Sequence, residues 1–118
     1  MGYESKIYVV EKFGVKNNNG KQYGQVIAMY DMCKFGDFCD IFKTTTDCFI
    51  YADDGDTEIT KDKYDMPLME TSINVVIEYL ENYVQTQDYY RRINPLLEML
   101  KAIKQDDWKD IVVLHYGY

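Results

Sequence analysis

The sequence predicts an α+β protein: a mostly antiparallel sheet of about five strands, two hairpins plus a C-terminal strand, with two to three helices packed on one face. Three observations predict it. Apolar residues alternate with period two through Lys6–Phe13 and Gln25–Cys33. They recur at helical spacing from Ile73 onward. A largely β-branched run, Ile111-Val112-Val113-Leu114, comes last. The 118 residues, 47% of them hydrophobic, suit one domain over 1–118 and one core, and are too apolar for a disordered chain.

The first two strands are joined through "GVKNNNGKQYG". Asn19-Gly20 is a hairpin signal, because a type I′ turn needs positive φ at both central positions. With that turn, Phe13 faces Val26, Val9 faces Tyr30 and Ile7 faces Met32. Next, Phe38, Ile41 and Phe42 keep helical spacing behind Asp37, a suitable N-cap, so a short helix is expected. "DCFIYADDGDTEIT" reads as a second hairpin: a turn at Asp54-Gly55 pairs Ile50 with Ile59 and Tyr51 with Glu58.

"KDKYDMPLMETS" reads as a connection, with Met66-Pro67 opposing helix and Thr71 or Ser72 able to cap a helix starting at Ile73. Ile73, Val76, Ile77, Leu80, Tyr83 and Val84 form one helical stripe, opposite Glu78, Glu81, Asn82 and Gln85. Asn94-Pro95, a cap followed by proline at the first helical position, opens a second helix from about Pro95 to Gln105. The Ile111–Leu114 run suits a buried strand better than an edge.

No apolar run approaches the ~20 residues needed to cross a bilayer. "MGYESKIYVV" lacks the basic-then-apolar order of a secretory signal, so the expected compartment is the cytoplasm. Cys33, Cys39 and Cys48 show no CxxC spacing, which favours reduced thiols over a disulfide framework or a zinc site completed by His115. No catalytic Ser-His-Asp, Cys-His or metalloprotease spacing and no phosphate loop is present, so an enzyme is not expected and no cofactor is implied.

The charge is concentrated. Of the net −7, the segment Asp31–Asp65 carries −6, from ten acidic and four basic residues. This opposes direct binding of nucleic acid and favours a basic protein surface as partner, or solubility alone. The densest part is "IYADDGDTEIT". As an EF-hand with Gly55 at position 6 it would put Ile50, Ala52 and Lys61 at ligand positions 1, 3 and 12, so it is not one. The hairpin reading explains Gly55 and the alternation together, and no metal ligands are assigned. Candidate partner-binding residues are Asp53, Asp54, Asp56, Glu58, Asp62 and Asp65, with Tyr51 and Tyr64 beside them. Twelve tyrosines are more than so small a core holds. They suit an interface, although AT-rich coding bias also raises Tyr, Asn, Lys and Ile. Arg91 and Arg92, in "YYRRIN", are either an interface anchor or partners for carboxylates on neighbouring helical turns.

In overall character, and in the stretch "YADDGDTEITKDKYDMPLMETSINVVIEYLE", the chain resembles the small acidic accessory proteins of phages and prophages of low-GC Gram-positive bacteria. That group includes anti-CRISPR proteins and immunity proteins that neutralise toxins. The resemblance implies a non-catalytic inhibitor whose acidic side chains mimic DNA or RNA phosphates and occupy a basic nucleic-acid-binding site, such as that of a Cas nuclease or another nucleic-acid-binding enzyme. The alternatives are an immunity protein, or a structural or oligomerisation module such as a phage assembly component, with the last strand in a dimer seam.

Overall fold

A computed structural model describes residues 5–32, 38–86, 93–106, 108 and 110–117. The described strands are β1 (Ser5–Lys16), β2 (Gln22–Met32), β3 (Thr44–Thr45), β4 (Cys48–Tyr51), β5 (Glu58–Ile59), β6 (Met69–Thr71) and β7 (Ile111–Gly117). The helices are α1 (Ile73–Thr86) and α2 (Ile93–Gln105). The strands form one sheet in the order β3-β6-β7-β1-β2-β4-β5. The α+β class holds, but the sheet is seven-stranded and mixed, not a mostly antiparallel five-stranded one. β4 runs parallel to β2 through Gln22↔Cys48 and Tyr23↔Phe49. The additional strands, β3 and β6, are two and three residues long, too short to show an alternation.

The two central strands are apolar on both sides. On β1, Ile7 and Val9 point one way and Val10 the other; on β7, Val113 and Leu114 divide likewise, and all five are fully buried. Each face therefore needs its own cover. The helices cover the first face. Ser72 accepts a hydrogen bond from Val75 N at 3.2 Å and starts α1 as its N-cap. Ile73, Val76, Ile77 and Leu80 then pack on Ile7, Val9 and Val113, with Glu78, Glu81 and Asn82 outside, as their spacing predicts. The second helix begins two residues before Pro95, which is tolerated because first-turn N–H groups have no intrahelical partner. Ile93, Leu96, Leu97 and Leu100 complete this core.

The sheet itself covers the second face. It curls until Cys48 and Ile50 of β4, with Leu68, meet Val10 and Leu114. Gly24 of β2 stands at the fold of the curl: a Cβ built there would lie 3.4 Å from Cys48 Cβ and 3.5 Å from Val10 Cβ. The loop before β6 closes the layer. Leu68 N donates to Thr60 O at 3.2 Å, and Thr46 N to Leu68 O at 2.9 Å. Strand β7 thus lies inside the sheet, between β6 and β1, and offers no free edge for strand pairing with a second copy. Among the described residues, no helix is long and apolar enough to cross a membrane.

The first hairpin turns differently from the expected type I′ turn. Asn18 and Asn19 are central, Gly20 comes next with φ 78°, and Asn17 N donates to Lys21 O at 2.7 Å. The Asn17 side-chain oxygen accepts from Asn19 N and Lys21 N, which fixes the loop. The pairs are Ile7↔Tyr30, Val9↔Ala28 and Val10↔Val26, so Ile27 is an extra residue on β2, and a second irregularity falls between Lys12 and Lys16. A uniform register counted from the turn cannot anticipate two bulges. In the second hairpin the expected pairs Ile50↔Ile59 and Tyr51↔Glu58 are present. The short helix expected at Phe38 is a single 3₁₀ turn, Phe38–Ile41, with Phe38 and Phe42 buried. Asp37, Cys33, Arg91 and Arg92 lie outside the described residues.

The curl makes Gly24 sensitive to size rather than to backbone conformation. Gly24→Ala places a methyl at ordinary contact distance, so its unfolding midpoint in urea should stay close to wild type. Gly24→Val drives γ-methyls into Cys48 and Val10 and should cost about 1–3 kcal/mol.

Candidate interaction surface

A length mismatch positions the site. Twelve residues of β1 extend about 40 Å, whereas helices of 13 and 14 residues are only about 20 Å long. The helices therefore cover one end of the long hairpin and leave the other bare. On β1, Phe13 shares the parity of Ile7 and Val9 and so faces the helical side. On β2, Tyr23 alternates with Gly24, and on β4, Phe49 and Tyr51 alternate with Cys48 and Ile50, which belong to the second core. The helix-bearing face thus continues past the helices as an aromatic surface.

Here Phe13 stacks on Tyr23 with centroids 5.9 Å apart, and Tyr23 lies 5.4 Å from Tyr51 and 5.8 Å from Phe49. With Val15 and Gln25 they line an open trough of about 530 Å³. Phe49, at its base, is buried, while Phe13, Val15 and Tyr51 on its walls are 49%, 67% and 42% exposed. Asn17 of the hairpin loop donates to Glu58 Oε1 at 2.8 Å and ties β1–β2 to β5. Glu58 is the cross-strand partner of Tyr51, so a carboxylate borders the aromatic wall.

The eight residues expected to bind a partner fall into two groups. Asp53 and Asp56 are exposed at the tip beyond Tyr51, and among the described residues their carboxylates make no hydrogen bond or ion pair. Tyr51 and Glu58 stand at the trough. The other carboxylates are engaged in holding loops. Asp54 accepts from Asp56 N, Thr57 N and the Thr57 hydroxyl, at 2.9, 2.9 and 2.6 Å. These bonds to the ionised form hold its pKa down at about 2. Asp62 accepts from Tyr64 N, Met66 N and Gly117 N, pinning the loop to the end of β7. Asp65 takes a left-handed φ of 64° in that loop, and its exposed carboxylate lies 3.4 Å from Lys61 Nζ. Tyr64 is half-buried with the Lys63 ammonium 5.4 Å from its ring centroid. Gly55, with φ 77°, comes after a turn centred on Asp53-Asp54, since Gly55 N donates to Ala52 O. Of the trough residues, Phe13 reads in the sequence as part of the apolar alternation of the first strand, Val15 and Tyr23 fall in the hairpin connection, and Tyr23 and Tyr51 count among the tyrosines surplus to the core; no spacing brings them together with Phe49.

Two other clusters have the elements of chemistry. Asp47, Cys48 and Glu70 place ligand atoms within 4.8 Å of one another, the one such metal-capable group among the described residues. The Lys12 ammonium already serves these carboxylates, 3.0 Å from Asp47 and 3.1 Å from Glu70. Burial pushes the Cys48 thiol up to about 11, so it is protonated and a poor ligand. The cluster is a structural staple: Thr46 donates to Glu70 at 2.7 Å, Gln22 to Asp47 at 2.7 Å, and β1, β2, β6 and the β3–β4 link are joined. Cys39, His115 and Asp62 line a second pocket, but Asp62 is saturated by backbone donors and His115 packs against Phe38 and Phe42 with Ser5 Oγ 3.3 Å from Nε2. His115 and Cys48 project from opposite faces of the sheet, so they do not combine in a zinc site.

Burial by itself would lower the Lys12 pKa, but hydrogen bonds to Asp47 and Glu70 outweigh it and raise it above the ordinary range. For Asp47, burial acts upward, and bonds from Lys12 and Gln22 bring the net shift down. The raised group stabilises the fold fully below the unfolded lysine pKa and loses this contribution as pH rises through the folded value. The lowered carboxylate stabilises above its unfolded pKa and loses this contribution as pH falls through the folded value. The staple is therefore complete from about pH 4 to 10. Lys12→Met should destabilise by about 2–3 kcal/mol at pH 7, since it leaves Glu70 without its cation. The gap to wild type should narrow toward pH 3 in urea titrations followed by circular dichroism.

No protein-family model, no curated protein and no solved structure matches this chain.

Proposed function

We propose that the protein is a non-catalytic inhibitor of the anti-CRISPR type, which occupies a basic nucleic-acid-binding site on a nuclease or related enzyme. The observation that carries the reading is the continuity of the exposed aromatic trough with the unengaged carboxylates Asp53 and Asp56. Clustered aromatics on the surface of a small protein mark a contact area. Unengaged carboxylates beside them steer a basic partner into register and stand where phosphates would otherwise bind. The −6 balance of Asp31–Asp65 supplies the longer-range field. Binding, not chemistry, is what these residues offer, because the carboxylates on the surface are solvated and bordered by rings rather than by a nucleophile.

Affinity capture from a low-GC Gram-positive host extract tests the reading. A nucleic-acid-binding protein should be retained at physiological salt, released by competing DNA or RNA, and lost with the D53K/D56K variant. This variant leaves Asp54 and Asp62, which hold loops together, untouched. Retention that is indifferent to both competitor and charge reversal refutes phosphate mimicry. A tight dimer in light scattering that is abolished by Phe13→Ser would instead assign the trough to self-association.

A further inference from the structure

The trough has a chemistry more selective than negative charge. Phe13 and Tyr51 each pack against Tyr23, with centroids 5.9 and 5.4 Å away, and both are themselves about half exposed. Carboxylates flank them on one side: Glu58 directly across from Tyr51, then Asp53 and Asp56 at the tip. Elsewhere the chain lays its own lysines over rings, with Lys6 Nζ 4.7 Å from the Tyr116 centroid. Among the described residues, no cation lies over the rings of the trough.

We propose that this surface is a receptor for arginine side chains of the partner, and that it discriminates arginine from lysine. The inference rests on the basic-partner reading above and narrows it. A guanidinium is flat, weakly hydrated and always charged, so it stacks on an aromatic face while its in-plane N–H groups remain free to reach a carboxylate. An ammonium is compact and strongly hydrated, and the apolar walls of Phe13 and Val15 would strip its water without offering a matching fork of acceptors. A wall of rings bordered by carboxylates fits the first cation and not the second. Acidic residues alone would bind both. The aromatic faces create the preference, and the carboxylates set the affinity.

Two capped peptides of equal charge separate these roles: one with alternating arginine and serine, the other with lysine at every arginine position. Binding to the full-length protein is read by fluorescence anisotropy at about 150 mM salt, where screening limits non-specific attraction. The arginine peptide should bind about tenfold more tightly. Tyr51→Ala and Phe13→Ser, both at exposed positions, should erase the preference while lysine-peptide binding stays nearly constant. D53K/D56K should weaken both peptides together. Equal binding of the two peptides, still abolished by D53K/D56K, overturns the arginine receptor and leaves the basic-partner reading intact. No binding of either peptide overturns the receptor, and the capture experiment then decides the broader reading separately. A preference that survives Tyr51→Ala and Phe13→Ser also overturns it, because the selectivity would then arise away from the trough.

Discussion

The fold depends on burying both faces of β1 and β7. Their side chains are apolar up and down, so one layer of helices cannot satisfy them. With only two helices among the described elements, both on the first face, the sheet must supply the second layer from its own edge. That requirement explains the parallel β2–β4 pairing, the missing side chain at Gly24 and the short strands β5 and β6. It also explains the Lys12 staple. Where β7 begins, Lys12 N donates to Asp110 O, and the Lys12 side chain reaches across the second face to Glu70 on β6 and Asp47 beside β4. A charged side chain thus ends the second core where apolar residues stop.

The same curl builds the aromatic trough. It brings β4 and β5 against the long hairpin, so that Phe49 and Tyr51 join Phe13 and Tyr23 although about twenty-five to forty residues separate them in the chain. Cys48 and Phe49 are neighbours that point to opposite faces, one into the second core and one into the base of the trough. The packing of the core therefore sets the spacing of the rings. The trough is bare because helices rise 1.5 Å per residue and strands more than twice that, so helices of similar residue count cover only half of the hairpin.

Legibility in the sequence tracks the range of the interactions. Local patterns were legible: the α1 stripe, its Ser72 cap, the Ile50↔Ile59 register and the buried character of the last strand. Contacts set by topology were not. No spacing announces that β4 runs parallel to β2, and β3 and β6 are too short to alternate. The first hairpin shows the limit from within: the turn residues were visible, but the bulge at Ile27 moved the register they implied. For the site, acidic residues were legible as a cluster and not as individuals. Asp54 and Asp62 are indistinguishable from Asp53 and Asp56 by composition, yet the first two are each engaged by three donors, two backbone N–H groups and the Thr57 hydroxyl on Asp54 and three backbone N–H groups on Asp62. Phe13 reads as core because it continues the alternation of Ile7 and Val9, and Tyr23 is only one of many surplus tyrosines, with nothing local to place it beside Phe13.

The division among the carboxylates bears on how the surface would work. Asp54 closes the four-residue loop that carries Asp53 and Asp56, with three hydrogen bonds to its ionised form. A loop held by donors from its own residues carries Asp53 and Asp56 on an ordered backbone, which would reduce the ordering cost when a partner binds. The aromatic wall is ordered in the same sense, since Tyr51 lies on a strand and packs against Tyr23 and Phe49. Charges on an ordered loop beside packed rings would be selective in a way that a flexible acidic tail is not. The tail gathers any polycation, whereas fixed rings beside fixed carboxylates favour a cation that is flat on one side and a hydrogen-bond donor at its edge. On the proposed reading the acidic composition would supply the attraction, and the curl that Gly24 permits would supply the shape that makes it specific.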